Sequence, residues 1–186
     1  MMKLMTSLSA AVLVSLAGCE HATVPQGASL NIRDQVDPAR ERIWRLGRDG
    51  VFVLDLATPA KLVRLEGWQW AAEAYACPPD LALGPDGEAV VTSNVLPVLW
   101  RVDPHTLVAS AHALALDADE DKDVGFSALV YSPEHGAFFG VSAPHGSVWR
   151  IDAQLTRAQK VPFSLPRRNR PCPEVPVQTS QLSLDQ

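Results

Sequence analysis

The sequence predicts an all-β chain, a partial β-propeller of about three four-stranded antiparallel blades that repeat about every 48 residues. Three observations carry this expectation. Pro38, Pro85 and Pro133 recur at intervals of 47 and 48 residues. Asp55, Asp103 and Asp152 recur at intervals of 48 and 49, and each follows an aromatic by three positions: Phe52, Trp100 or Trp149. The 186 residues include 15 prolines and 5 tryptophans, a composition that favours turns and strands over long helices. Four short strands in a unit of about 40–50 residues make one propeller blade.

The elements follow in order. In the first repeat, strands are expected at Leu30–Val36, Arg42–Leu46, Val51–Leu54 and Leu62–Gly67. Trp68–Ala76 then reads as a short helix or a loop excursion, because its alanines favour helix. In the second repeat, Asp80–Leu83 leads into a Pro85-Asp86-Gly87 turn, with proline and glycine at positions that suit one. Glu88–Ser93, Val98–Val102 and Leu107–Leu114 complete that blade; Val90 and Val91 favour strand. The third repeat places strands at Ser127–Tyr131, Ala137–Ser142, Ser147–Ile151 and Ala158–Phe163. The prolines mark the turn between the first two strands of each blade, and the aspartates mark the end of the third.

The second repeat also carries a resemblance. Asp80-Leu81-Ala82-Leu83-Gly84-Pro85-Asp86-Gly87, followed by Val98-Leu99-Trp100-Arg101-Val102-Asp103, is similar to the pattern of the bacterial propeller superfamily that includes NHL-type, YVTN-type and gluconolactonase-like proteins. The resemblance covers about residues 29–163 and implies a fold rather than a function, since such folds host binding, scaffolding and catalysis alike.

Closed propellers have about four to eight blades, and residues 29–163 hold three. An open arc would expose two blade faces, lined by residues such as Phe138, Phe139 and Trp149. Exposed apolar faces of that size are costly in water. Either the chain pairs with itself or a protein partner, or the tail covers the gap, or the chain is a fragment of a longer ancestor; a twofold pair, a homodimer, would close a six-bladed ring and cover both faces.

The N-terminus reads as an address. Lys3 supplies a positive charge, Leu8–Leu16 is an apolar run too short to span a bilayer, and Leu16-Ala17-Gly18-Cys19 follows. This resembles the lipobox of bacterial lipoproteins, which implies a signal peptide over residues 1–18, lipidation of Cys19 with palmitate-type chains, and a linker over 19–28. Several acyl chains, at about 0.8 kcal/mol per buried CH₂, anchor stably. Glu20 stands where an aspartate would retain the protein at the inner membrane, so the outer membrane, on its periplasmic face, is expected.

Removing Cys19 from three cysteines leaves Cys77 and Cys172, an even pair in an oxidising compartment. A disulfide between them is expected, because neither sits in the close Cys-x-x-Cys spacing of metal and redox pairs. The Pro-rich tail, residues 164–186, carries the basic cluster Arg167-Arg168-Asn169-Arg170. The whole chain is acidic, with a net charge of -5, and gives no pull toward nucleic acid.

Candidate chemistry is sparse. Loops joining strands two and three, and those joining blades, form a propeller's top. There Asp117, Asp119 and Asp121 could hold Ca²⁺ or another divalent metal through oxygen ligands. Lys122 and Ala128 stand where an EF-hand needs glycine and glutamate, so that motif is rejected and a solvated acidic loop is the competing reading. Trp68 and Trp70 have no repeat counterparts; they are candidates for contacting a ligand or partner, or for a hydrophobic plug over the top. Asn94 and His145 lie in top loops and are the remaining ligand-binding candidates. No nucleophile elbow, phosphate loop or His-Glu-x-x-His occurs, and no catalytic residue is assigned. The leading expectation is a membrane-anchored binding or scaffold module with no required cofactor. The rival is a metal-dependent lactonase-like hydrolase that uses the top loops, with Asn94 as one metal ligand.

Overall fold

The computed structural model describes residues 31–55, 58–71, 77–117 and 125–164. Runs of β-branched and aromatic residues, broken by Pro, Gly and Asp turns, build thirteen strands in this part of the chain. The first blade is β1 (Arg33–Asp37), β2 (Arg42–Gly47), β3 (Gly50–Asp55) and β4 (Lys61–Val63), hydrogen-bonded in that order. The second is β5 (Leu81–Leu83), β6 (Ala89–Thr92), β7 (Val98–Val102) and β8 (Ala109–Ala113). After β9 (Ala115–Leu116), the third blade comprises β10 (Phe126–Ser132), β11 (Ala137–Ser142), β12 (Ser147–Asp152) and β13 (Arg157–Ser164). Pairing within each four-stranded meander is antiparallel. The strands β7 and β11 fall on the bounds that the sequence predicts.

Besides the fourth strand of blade 1, which runs over Lys61–Val63 rather than Leu62–Gly67 because the chain turns at Gly67, two expectations need correction. Leu107–Leu114 does not run as one strand. Leu107 turns into positive φ, at 56°, so β8 starts at Ala109. Beyond β8, the Leu114 amide donates to the Pro97 carbonyl, and the Ala115 amide then donates to Thr156. The chain thereby leaves blade 2, and β9 pairs parallel to β13 as a fifth strand on the outer edge of blade 3. That strand covers an edge that would otherwise present unpaired amides.

The second correction concerns exposure. Phe138 and Trp149 do not line an open face. Both are fully buried in the seam between blades 2 and 3, against Ala82, Val90 and Leu99 of blade 2. The pleat explains this: Trp149 pairs with Gly140 and Phe138 with Ile151, so all four share one face. Phe139, their neighbour in β11, points the other way and is half-buried. The seam between blades 1 and 2 is built alike, from Trp44, Leu46, Val51 and Val53 against Val91, Trp100 and Val102. Phe126 meets Trp149 edge to face at 6.5 Å, a geometry suited to the ring quadrupoles.

The innermost strands β1, β5 and β10 lie side by side, and the three blades form an arc that does not close. The recurring aspartates have a local role. Asp55 Oδ1 accepts from the amide and hydroxyl of Thr58, Asp103 Oδ1 from those of Thr106, and Asp152 caps Thr156 and Arg157 in the same manner. Each holds the turn between the third and fourth strands of its blade.

Candidate functional site

The top of the seam between blades 1 and 2 gathers the polar and aromatic groups that the repeat does not explain. Trp68 follows a turn in which Gly67 has φ 68° and the Trp68 amide donates to the Leu65 carbonyl. Its indole N–H donates to the Thr92 carbonyl at 3.0 Å, which roots the ring in blade 2. Trp70 stacks on it at 5.9 Å and donates to the Arg48 carbonyl, in the β2–β3 turn of blade 1. Both rings are half-buried, and Gln69 between them is exposed. The pair therefore bridges two blades as a rigid aromatic step.

Asn94 holds this excursion in place. It is fully buried. Its amide nitrogen donates to the carbonyls of Ala71 and Cys77, and its oxygen accepts from the Ala71 amide at 2.9 Å. Those three bonds leave one lone pair on Oδ1. Ser93 adds a hydroxyl bond to the Gln69 carbonyl at 2.6 Å. What surrounds Asn94 is thus backbone, and in this arrangement it acts as a clamp for the Trp68–Cys77 connection.

Beneath the clamp lies a buried carboxylate that sequence reasoning missed. Asp80, at the start of β5, accepts the amides of Leu81 and, across the seam, Leu129 of β10. Arg33 of β1 stands 3.3 Å away. One side chain thus joins all three inner strands. Burial pushes its carboxyl above the ordinary aspartate range, against the pull of Arg33 and the two amides. No motif flags Asp80, because its partners are about 47 and 49 residues away in the chain and meet only through the blade arrangement.

The other sequence-predicted positions lie apart. His145 is exposed in the β11–β12 turn, where its amide donates to Ser142 Oγ. Asp117 follows β9, and its Oδ1 accepts the Lys160 amide of β13. Asp119 and Asp121 lie outside the described residues, as do Cys19 and Cys172. Cys77 is buried under the clamp. Among the described residues, no three His, Cys, Asp or Glu side chains converge as a metal would require, and no helix is long and apolar enough to cross a membrane.

Comparison with known proteins places the fold. No family model matches the chain, and no curated protein matches it. Among solved structures, virginiamycin B lyase from Staphylococcus aureus is similar with a TM-score of 0.58 at 15% identity, over 79% of this chain and 45% of that one. A catalytically inactive variant of the same enzyme, solved with quinupristin, gives 0.56 at 14%, over 79% and 44%. The chain thus shares the propeller fold and spans less than half the length of these structures. At such identity the likeness shows the fold alone.

Proposed function

We propose that this chain is a lipid-anchored propeller module of the cell envelope. Acylated Cys19 holds it on the periplasmic face of the outer membrane, and its top surface binds a partner protein or small ligand at Trp68 and Trp70. The stacked tryptophan pair carries this reading. Trp68 is packed onto the seam core and hydrogen-bonded, so the outer ring, Trp70, is fixed before any partner arrives. A rigid aromatic presents large contact area at low entropic cost, which is why tryptophans dominate binding hot spots. The lipobox-like Leu16-Ala17-Gly18-Cys19 supplies the anchor.

Two measurements test the two halves separately. Labelled palmitate should enter the wild-type chain and be absent from Cys19→Ser; unlabelled wild-type protein would sink the anchor. A photo-reactive residue at Gln69 should yield an adduct in cells that Trp70→Ala abolishes. No adduct, or one that Trp70→Ala leaves unchanged, refutes recognition at the tryptophan pair.

A further inference from the structure

We propose that the tryptophan step binds a neutral saccharide, with a pyranose ring on Trp70 and its hydroxyls held by the polar side chains around it. The inference rests on the reading of Trp68 and Trp70 as a recognition site and names the ligand of that site. The two rings differ in what holds them. Trp68 packs against the core of the seam between blades 1 and 2, whereas Trp70 joins neither hydrophobic cluster among the described residues. Trp70 is fixed instead by its stack on Trp68, with centroids 5.9 Å apart and planes at 29°, and by its indole N–H, which donates to the Arg48 carbonyl. It is half-buried, so part of a rigidly framed indole stays open to solvent. The face of such a ring is the negative part of its quadrupole, and the C–H bonds on one side of a pyranose complement it.

The surroundings decide among ligand classes. Trp70 meets the β2–β3 turn, where Arg48 and Asp49 are both exposed, and Gln69 is exposed between the two rings. These side chains offer a guanidinium donor, a carboxylate acceptor and an amide that is both, a set that complements a ring of hydroxyls. Just before Trp68, Arg64 and Glu66 are exposed as well. Two arginines and two carboxylates leave the rim without net charge, so neither a cation over the ring nor an anion on the guanidinium is favoured by the field around it. A protein partner fits the step less well. The centre of a protein interface is depleted of charged groups and contiguous in apolar surface. Here the open indole stands among charged side chains. The large apolar side chains exposed among the described residues, Val36, Ile43, Val108 and Val130, belong to other segments.

One aromatic face and a few solvent-exposed hydrogen bonds make a weak site, with a Kd of about 1 mM for a single sugar chain. A free oligosaccharide and a polysaccharide surface present the same chemistry, and the test separates them. The inference does not rest on the anchor.

The test uses the full chain carrying Cys19→Ser, which bears no acyl group whether or not the natural protein does. Maltotetraose, cellotetraose and tetraacetylchitotetraose are each titrated to about 10 mM and followed through the indole N–H signals in NMR. Cellulose and chitin particles are tested alongside by co-sedimentation. At least one of these probes should bind; a tetrasaccharide that binds points to free oligosaccharide, and binding to particles alone points to a polysaccharide surface. Trp70→Ala should weaken that binding at least about tenfold, while Trp70→Phe, which keeps a ring face, should weaken it less. Far-UV circular dichroism of both variants should match the parent, because Trp70 lies outside both hydrophobic clusters. Tetraethylammonium and phosphate should leave the Trp70 signal in place. The proposal is overturned if no saccharide binds, if Trp70→Ala binds as the parent does, if Phe and Ala lose equally, or if a charged probe binds at Trp70 more tightly than the sugars. A protein adduct at Gln69 that depends on Trp70, with no saccharide bound, would overturn the saccharide and leave the step standing as a recognition site.

Discussion

Trp149→Ala probes the seam between blades 2 and 3 directly. The ring is fully buried, meets Phe126 at 6.5 Å, and its indole N–H donates to Ser147 Oγ at 3.0 Å. A buried tryptophan removes up to about 250 Å² from water, or about 6 kcal/mol at about 25 cal/mol per Å². Alanine keeps part of that area, and a compact unfolded chain already hides some of it. The expected cost is about 3–5 kcal/mol, which agrees with other Trp-to-Ala core truncations. With a urea slope of about 2 kcal/mol/M, the midpoint should fall by about 1.5–2.5 M. Far-UV circular dichroism is the right signal, because the substitution removes a fluorophore. Val108→Ala is the control: its side chain is 64% exposed and should change stability by less than about 0.5 kcal/mol. A loss below about 1.5 kcal/mol at Trp149, or equal losses at both positions, would refute the burial of this seam.

Three further outcomes are expected. A Cβ at Gly125 would lie 2.1 Å from the Asn94 carbonyl carbon, where the β5–β6 blade and β10 are tied by the Phe126 amide and Ser93 carbonyl. Gly125→Ala should therefore cost about 1–3 kcal/mol in thermal or urea unfolding, and a neutral effect would contradict this close approach. Asp80 is held above its unfolded pKa by burial, so the folded state binds its proton more tightly than the unfolded state does. Its contribution is then fully present below the ordinary aspartate value and is lost as pH rises through the raised one. Comparing stability against pH, the wild type should lose more than Asp80→Asn on going upward from about pH 4; parallel curves would exclude this. Non-reducing peptide mapping of protein expressed from its full sequence in bacteria should link Cys77 to Cys172, and two alkylatable thiols would rule the bridge out.

The blades were legible in the sequence because their signals are local. Proline turns, valine pairs and the aromatic-x-x-Asp spacing all act within one repeat. The Asp-x-x-Thr turns were half-visible: the aspartates recur, and Thr58, Thr106 and Thr156 follow at three or four residues. What stayed hidden depends on neighbours far along the chain. Strand β9 has two residues and exists through its pairing with β13. Whether Phe138 or Phe139 faces a neighbour is fixed by the pleat relative to blade 2, which alternation alone leaves undecided in an apolar run. Asn94 reads as a loop polar residue until the Ala71 and Cys77 carbonyls are placed beside it. Asp80 likewise shows its importance only when Arg33 and Leu129 come together around it.

The central claim is that the described residues build three four-stranded blades in an arc that does not close. A photo-reactive residue at position 36, in a mixture of isotopically light and heavy chains, tests it by cross-linking and mass spectrometry. Position 36 should give no adduct with the segment that spans β10–β12 of its own chain. Adducts within one chain between position 36 and that segment would mean that the three blades close on themselves, and would contradict the arc.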